Sequence, residues 1–444
     1  MLCLDGVHAR LPGNRIKCTA MKLARTPFFR YALALLGLLC GARKVVQDTR
    51  ITDFPIDMVI YREGVKAFLE HRSVYSEPML AGDIELPFIY PPFGALIMVP
   101  ITAFDGIDHD IAGDIMIVVS DLLLLVCLYF VFKAVLKKPD FLLPITTIAW
   151  AIALRFEPVD LNNGFAQINI VVMALVILDL VPRKRLLPQG VLIGLAAAIK
   201  ITPLAMLLYF LVRKEWKQIA TAFLSAVAAT LLAAAFRWDA FVEFFSSKLL
   251  DMGSGGDFGV ATEYQSNSSI KGAIQRMYSS TEAMDANGLT INIAWIAASL
   301  VVIAFAAWLT KRLCEEHLLV DAQMVTALTL LLISPVSWSH HWVWLTLIIP
   351  VLVYRAWTWL PSGGSAGSLL TVLIAWAAML LTVPPKWWWG DQVDVHAMER
   401  YQKFWVDDFV WLTILTVALF AAAFYASQHN NRNANTATPA LLTS

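Results

Sequence analysis

The chain is 444 residues long, 58% hydrophobic and only 15% charged, with 34 basic residues balancing 34 acidic ones and a mean hydropathy of +0.64. A soluble domain carries about 25% charged residues, so a single soluble globular domain is excluded, and zero net charge argues against a nucleic-acid binder, which would show a basic stripe. The five cysteines (Cys3, Cys18, Cys40, Cys127, Cys314) form no CxxC pair and none falls in a predicted external loop, which argues against disulfides and thiolate metal sites.

The apolar content comes in runs of about 15 to 25 residues between short charged clusters, the polytopic membrane pattern. Residues 1–27 are basic and show no signal-peptide cleavage pattern; Met21 is an alternative start. Arg10, Arg15, Lys17, Lys22, Arg25 and Arg30 place this end in the cytoplasm by the positive-inside rule. A first span, Phe28 to Val46, leads to an external loop from Gln47 to Ile89. Within it Asp53 and Asp57 precede an amphipathic helix from Met58 to Leu69, with Val59, Ile60, Val65, Phe68 and Leu69 near helical spacing. The loop closes on Tyr90-Pro91-Pro92, where two prolines remove backbone donors. Pro92 to Phe104 is apolar but too short to cross at 1.5 Å per residue, so it reads as a half-length helix.

Ile115 to Leu136 spans inward and ends at Lys133, Lys137 and Lys138. Leu142 to Leu154 leads out to a loop, RFEPVDLNNGFAQ, and Ile168 to Val181 returns to a cytoplasmic PRKR. Leu187 to Val212 is basic at both ends and holds Lys200 and Pro203 near its middle, so two short helices meeting at Lys200 near the external face are expected. Ile219 to Phe236 precedes a long external loop, Arg237 to Gly288. Then follow Ile291 to Leu309, Val325 to Ile333, Trp342 to Trp359, Leu369 to Val383, an external stretch rich in tryptophan, and Phe409 to Tyr425. The expected architecture is all-α, with about twelve crossings between residues 28 and 426, both termini inside, and a polar, disordered tail over 427–444.

One result does not depend on the count. Asp53 and Asp57, Glu157 to Gln167, Lys200, Gln265 to Arg276, Ser334 to His341 and Lys386 to Asp408 all fall on one face. Asp57 fits a helix cap as well as a general base. Lys200, amid apolar residues, fits a snorkelling cation or a phosphate-binding point charge. Adjacent histidines on a helix diverge by about 100°, so one of His340 and His341 is expected to face the site. The remaining histidines supply no zinc set. Trp387, Trp388 and Trp389 fit an interfacial anchor better than a sugar platform.

The ordered motifs DFPIDMVIYREG, FIYPPFGAL, NGFAQIN, GLAAAIKITPL, NSSIKG and SPVSWSHHW together resemble the family-87 glycosyltransferases of the GT-C superfamily, over about Phe28 to Tyr425. The resemblance implies a GT-C membrane fold with external amphipathic helices and an inverting mannosyltransferase of the plasma membrane. The implied donor is polyprenyl-phosphate-mannose, and the acceptor a lipid-anchored glycan of the phosphatidylinositol mannoside, lipomannan or lipoarabinomannan type, joined through an α-1,2 linkage on the extracytoplasmic face. No cofactor, metal or nucleic acid is implied. Asp57 takes the place of the family base, keeping its spacing to Tyr61, and His340 and His341 join it as catalytic candidates. Lys200, Arg62, Tyr61, Tyr90, Gln167, Asn169, Asn267, Ser268, Arg276 and Trp338 are the substrate-binding candidates. NGFAQ departs from the shorter approach usual in the family, as does the long basic N-terminus. The alternatives are a polyprenyl-phosphate-arabinose-dependent arabinofuranosyltransferase or, in another class, a membrane transporter or lipid flippase.

Overall fold

The computed structural model describes residues 26–51, 54–102, 106–136, 139–254 and 259–437. Asp53, Cys3, Cys18 and the basic segment up to residue 25 lie outside them. In chain order the helices are α1 (Pro27–Ile51), α2 (Ile56–Leu69), α3 (Pro92–Met98), α4 (His109–Val135), α5 (Leu142–Ala153), α6 (Glu157–Gly164), α7 (Asn169–Leu180), α8 (Val191–Ile199), α9 (Leu207–Val212), α10 (Trp216–Phe236), α11 (Trp238–Glu243), α12 (Leu249–Ser254), α13 (Ile270–Arg276), α14 (Thr281–Ala286), α15 (Gly288–Glu315), α16 (Leu319–Ile333), α17 (Leu345–Trp359), α18 (Gly364–Leu380), α19 (Arg400–Val406) and α20 (Asp408–Ala437). Among the described residues six helical stretches are long and apolar enough to cross a membrane, or seven if α5 and α6, bent by 66° at their junction, count as one. Length and composition therefore do not reproduce the expected twelve. The shortfall has a physical cause: four other apolar helices, among them Pro92–Ile101 and Thr202–Val212, are cut to between 10 and 17 residues.

Three expectations change. The loop after Leu154 is largely the helix α6, opened by Pro158 in its first turn, where a missing N–H costs nothing. The first external loop holds a two-stranded hairpin, β1 (Met79–Ala81) with β2 (Ile84–Leu86), in an otherwise helical chain. Its turn uses Gly82 at φ 62°, a conformation only glycine adopts without strain. The tail predicted to be disordered from Ser427 continues α20 as far as Ala437.

Two local features position the site. α8 stops at Lys200, whose backbone is extended (φ −148°, ψ 128°). A continuous helix would drive the Pro203 ring into the carbonyl of Ile199, four residues back, so the chain breaks and resumes as a 3-10 turn at Thr202–Met206. This is the pair of short helices the sequence predicts. α3 lies close by, because a Cβ on Gly94 would meet the Ile199 carbonyl oxygen at 3.0 Å. α2 buries Met58, Ile60, Tyr61, Val65, Ala67 and Phe68 against the core and so fixes the direction of its first turn.

Candidate active site

Asp57 sits in the first turn of α2, but Pro55 occupies the cap position and makes no side-chain cap bond. The carboxylate instead accepts a hydrogen bond from Gln167 Nε2 at 2.6 Å. Gln167 Oε1 in turn accepts from the Tyr61 hydroxyl at 2.7 Å and from the Tyr90 hydroxyl at 3.2 Å, and the two hydroxyls lie 2.7 Å apart. The Gln167 amide is thus locked with its donor toward Asp57. Burial is the largest influence on Asp57 and pushes its carboxyl up to about 6, against the opposing pull of the Gln167 hydrogen bond and the Lys200 charge. Burial likewise raises the Tyr61 and Tyr90 hydroxyls, so both remain neutral donors.

Lys200 Nζ donates to Asn169 Oδ1 at 2.7 Å and lies 3.2 Å from His341 Nε2. An ammonium has only donors to offer, so His341 Nε2 accepts, the ring is neutral, and its proton sits on Nδ1. Lys200 also lies 5.6 Å from the centre of the Tyr90 ring. Asn169 Nδ2 reaches the His340 carbonyl at 3.3 Å and Gln167 Oε1 at 3.4 Å, joining the Lys200 group to the Asp57 group.

These groups converge on one cavity of about 1270 Å³, lined by Asp57, Tyr61, Tyr90, Gln167, Lys200, Trp338, His340 and His341. Both histidines reach it. The expectation of one does not hold, because the cavity is bounded by both rings, which pack edge to face at 4.8 Å on the 3-10 turn Ser339–Trp344. His340 packs on Phe165, and neither of its buried ring nitrogens has a hydrogen-bond partner among the described residues. The other walls are mainly apolar, with Ile201, Leu204 and Ala205 following Lys200 and with Leu330 and Ile333 from α16. Among the described residues no three His, Cys, Asp or Glu side chains are grouped as metal ligands.

Four sequence candidates lie elsewhere. Arg62 donates to the Ile101 carbonyl at 2.8 Å and turns away from the cavity, one helical step after Tyr61. Arg276 is fully buried, paired with Asp407 and bonded to the Glu263, Tyr264 and Asn267 carbonyls. Asn267 is also structural. Its side chain donates to the Thr262 carbonyl at 2.6 Å and accepts from the Ser337 N–H at 2.9 Å, and its backbone bridges Trp338. Ser268 accepts from Lys386 Nζ at 2.6 Å. Together these residues stitch the loop before α13 to the SPVSW segment and hold Trp338 in place.

Sequence reasoning put Glu157, Lys386 and Asp391 on the same face without making them site candidates, and it missed Tyr264. Lys386 is wholly buried, 3.1 Å from Asp408 and 3.2 Å from Ser339 Oγ. Glu157, Tyr264 and Asp391 line the cavity together with Trp387. A lone lysine before three tryptophans carried no signal that it would be buried; only its partner Asp408, 22 residues on, reveals it.

Comparison with known proteins gives the same direction. The model of glycosyltransferase family 87 matches residues 88–335. A polyprenol-phosphate-mannose-dependent alpha-(1-2)-phosphatidylinositol mannoside mannosyltransferase of Mycolicibacterium smegmatis is 33% identical, over 72% of this chain and 75% of that relative. The Mycobacterium tuberculosis protein of the same description is 31% identical, over 74% and 78% respectively. A polyprenol-phosphate-mannose-dependent alpha-(1-2)-phosphatidylinositol pentamannoside mannosyltransferase of M. tuberculosis is 28% identical, over 80% and 77%. With the match covering more than half of its length and with its several membrane-crossing helices, the chain is a multi-pass membrane glycosyltransferase belonging to family 87.

Proposed function

We propose that the chain transfers mannose, with inversion, from polyprenyl-phosphate-mannose to a phosphatidylinositol mannoside through an α-1,2 linkage, at the extracytoplasmic face of the plasma membrane with both termini in the cytoplasm. The observation that carries this reading is the convergence, on one cavity, of a Gln167-held carboxylate at Asp57 and an ammonium at Lys200. The relatives' donor and acceptor fit both poles.

The apolar strip beyond Lys200, where Leu204 is 40% exposed, suits a polyprenyl chain running out to the bilayer. Lys200 then meets the phosphate as a point charge. One Asp57 oxygen takes the proton of the acceptor hydroxyl. That hydroxyl oxygen attacks the anomeric carbon as the carbon–oxygen bond to phosphate breaks, and the polyprenyl phosphate departs with the electron pair. The transition state is oxocarbenium-like, as in glycoside hydrolysis. The leaving group needs charge stabilisation more than a proton, and Lys200, set by Asn169 and His341, supplies it. Asp57 at about 6 is mostly ionised near pH 7 yet more basic than an exposed carboxylate, which suits a general base. Gln167, Tyr61 and Tyr90 orient it, and Trp338 and His340 shape the sugar's surroundings.

Membranes carrying Asp57→Asn are expected to lose transfer of labelled mannose from polyprenyl-phosphate-mannose while retaining the protein. Full activity in that variant sinks Asp57 as the base. Labelled arabinose transferred in preference to mannose would instead favour the arabinofuranosyl reading.

A further inference from the structure

The proposed reaction uses only part of the cavity. One further wall carries a row of three aromatic rings, Trp338, Tyr264 and Trp387. Tyr264 lies 6.3 Å from Trp338 and 6.1 Å from Trp387, centre to centre. The middle ring and one outer ring of this row are fixed by acids. Trp387 Nε1 donates to Glu157 Oε1 at 2.7 Å, and the Tyr264 hydroxyl donates to Asp391. The second oxygen of Glu157 is buried with no hydrogen-bond partner among the described residues. An interfacial tryptophan would need none of this. Trp388, one residue on, is 57% exposed and bonds only its own chain turn at the Val383 carbonyl, as an anchor should. Trp387 instead faces the cavity.

Aromatic faces present apolar area with defined geometry and little flexibility, which suits the C–H face of a pyranose ring. None of the three rings is among the partners of Lys200, which are Asn169, His341 and Tyr90. An inverting attack must come from the side opposite the phosphate, so a cavity wall that makes no bond to Lys200 is open to the incoming sugar. Resting on the function proposed above, we infer that the Trp338–Tyr264–Trp387 wall is the subsite for the acceptor's terminal hexose, with Trp387 as its main platform and Glu157 as the positioning residue that sets the Trp387 ring.

The test is direct binding of a phosphatidylinositol oligomannoside to the detergent-solubilised full chain without donor, followed by tryptophan fluorescence, with mannose transfer from polyprenyl-phosphate-mannose measured separately. Trp387→Leu is expected to weaken glycolipid binding and raise the acceptor KM by about tenfold, the worth of one well-placed stacking contact, with the donor KM unchanged. Trp387→Phe keeps a ring and should retain most affinity. Glu157→Gln keeps an acceptor for the indole N–H and should behave as wild type, whereas Glu157→Leu should mimic Trp387→Leu. Overturning results are a wild type that does not bind the glycolipid, a Trp387→Leu protein that binds it normally, or a rise in the donor KM alone. Glycolipid binding through Trp387 without any sugar transfer would uphold the subsite and defeat the transferase reading.

Discussion

Gln167 is the residue whose removal tests the electrostatics of the site most sharply. Its Nε2 donates to Asp57 at 2.6 Å, a charge-assisted, partly buried bond at the cavity wall. Replacing it by leucine removes that donor but leaves Tyr61 and Tyr90 bonded to each other, so the loss falls mainly on the carboxylate. A hydrogen bond to a charged group contributes about 1.5–3 kcal/mol, which converts to roughly 1–2 pH units. The shift is upward, because the bond favours the ionised form. Asp57 titrates at about 6 in the native site. As the base must be deprotonated, kcat/KM for wild type falls about tenfold per pH unit below that value. In Gln167→Leu the acid limb moves to between about 7 and 8, and transfer at pH 7 drops about two- to tenfold while recovering at alkaline pH. The assay is the pH profile of labelled mannose transfer in membranes, wild type against variant. An acid limb that stays near pH 6 in Gln167→Leu refutes the reasoning, because either Asp57 is not the titrating base or Gln167 does not hold it.

Three further outcomes follow from the geometry. Lys200→Ala raises the donor KM by about tenfold or more, the worth of one charge-assisted phosphate contact; Lys200→Arg does not restore it, since a planar fork cannot meet Asn169 and His341 as an ammonium does, and steady-state kinetics at varied donor decide the point. Arg276→Ala strands Asp407 as a buried charge at a cost of about 3–5 kcal/mol, so thermal unfolding in detergent shifts strongly while the surviving protein keeps its donor KM. Gly64→Ala places a Cβ 2.2 Å from the buried Phe88 ring, and overpacking of about 1–3 kcal/mol is read as a lower melting temperature, with lost transfer if α2 tilts and carries Asp57 with it.

Composition and periodicity were enough to place the chain in a membrane, to break the helix at Lys200 and to set Asp57 at the start of an amphipathic helix. Pro203 and the spacing of Val59, Ile60, Val65 and Phe68 are local signals, and local signals survive in a one-dimensional reading. The charge bias of short loops also led to the expectation that the uncommon polar groups gather on one face. Of those groups, Asp57, Gln167, Lys200, Trp338, His340 and His341 line one cavity.

What the sequence could not decide is which polar side chains of that face reach the cavity and which hold it together. Arg276, Asn267 and Ser268 look like ligand donors in a row, yet each is consumed by a partner distant in the chain: Asp407, Ser337 and Lys386 respectively. Glu157 and Trp387 look like a helix end and a membrane anchor, yet they meet across 230 residues to build a wall of the cavity. Most buried polar groups find a hydrogen-bond partner, but the choice of partner is a long-range property. Only the packed arrangement of helices brings one donor to one acceptor, and that arrangement separates the Asp57 and Lys200 poles from the residues that merely hold them in place.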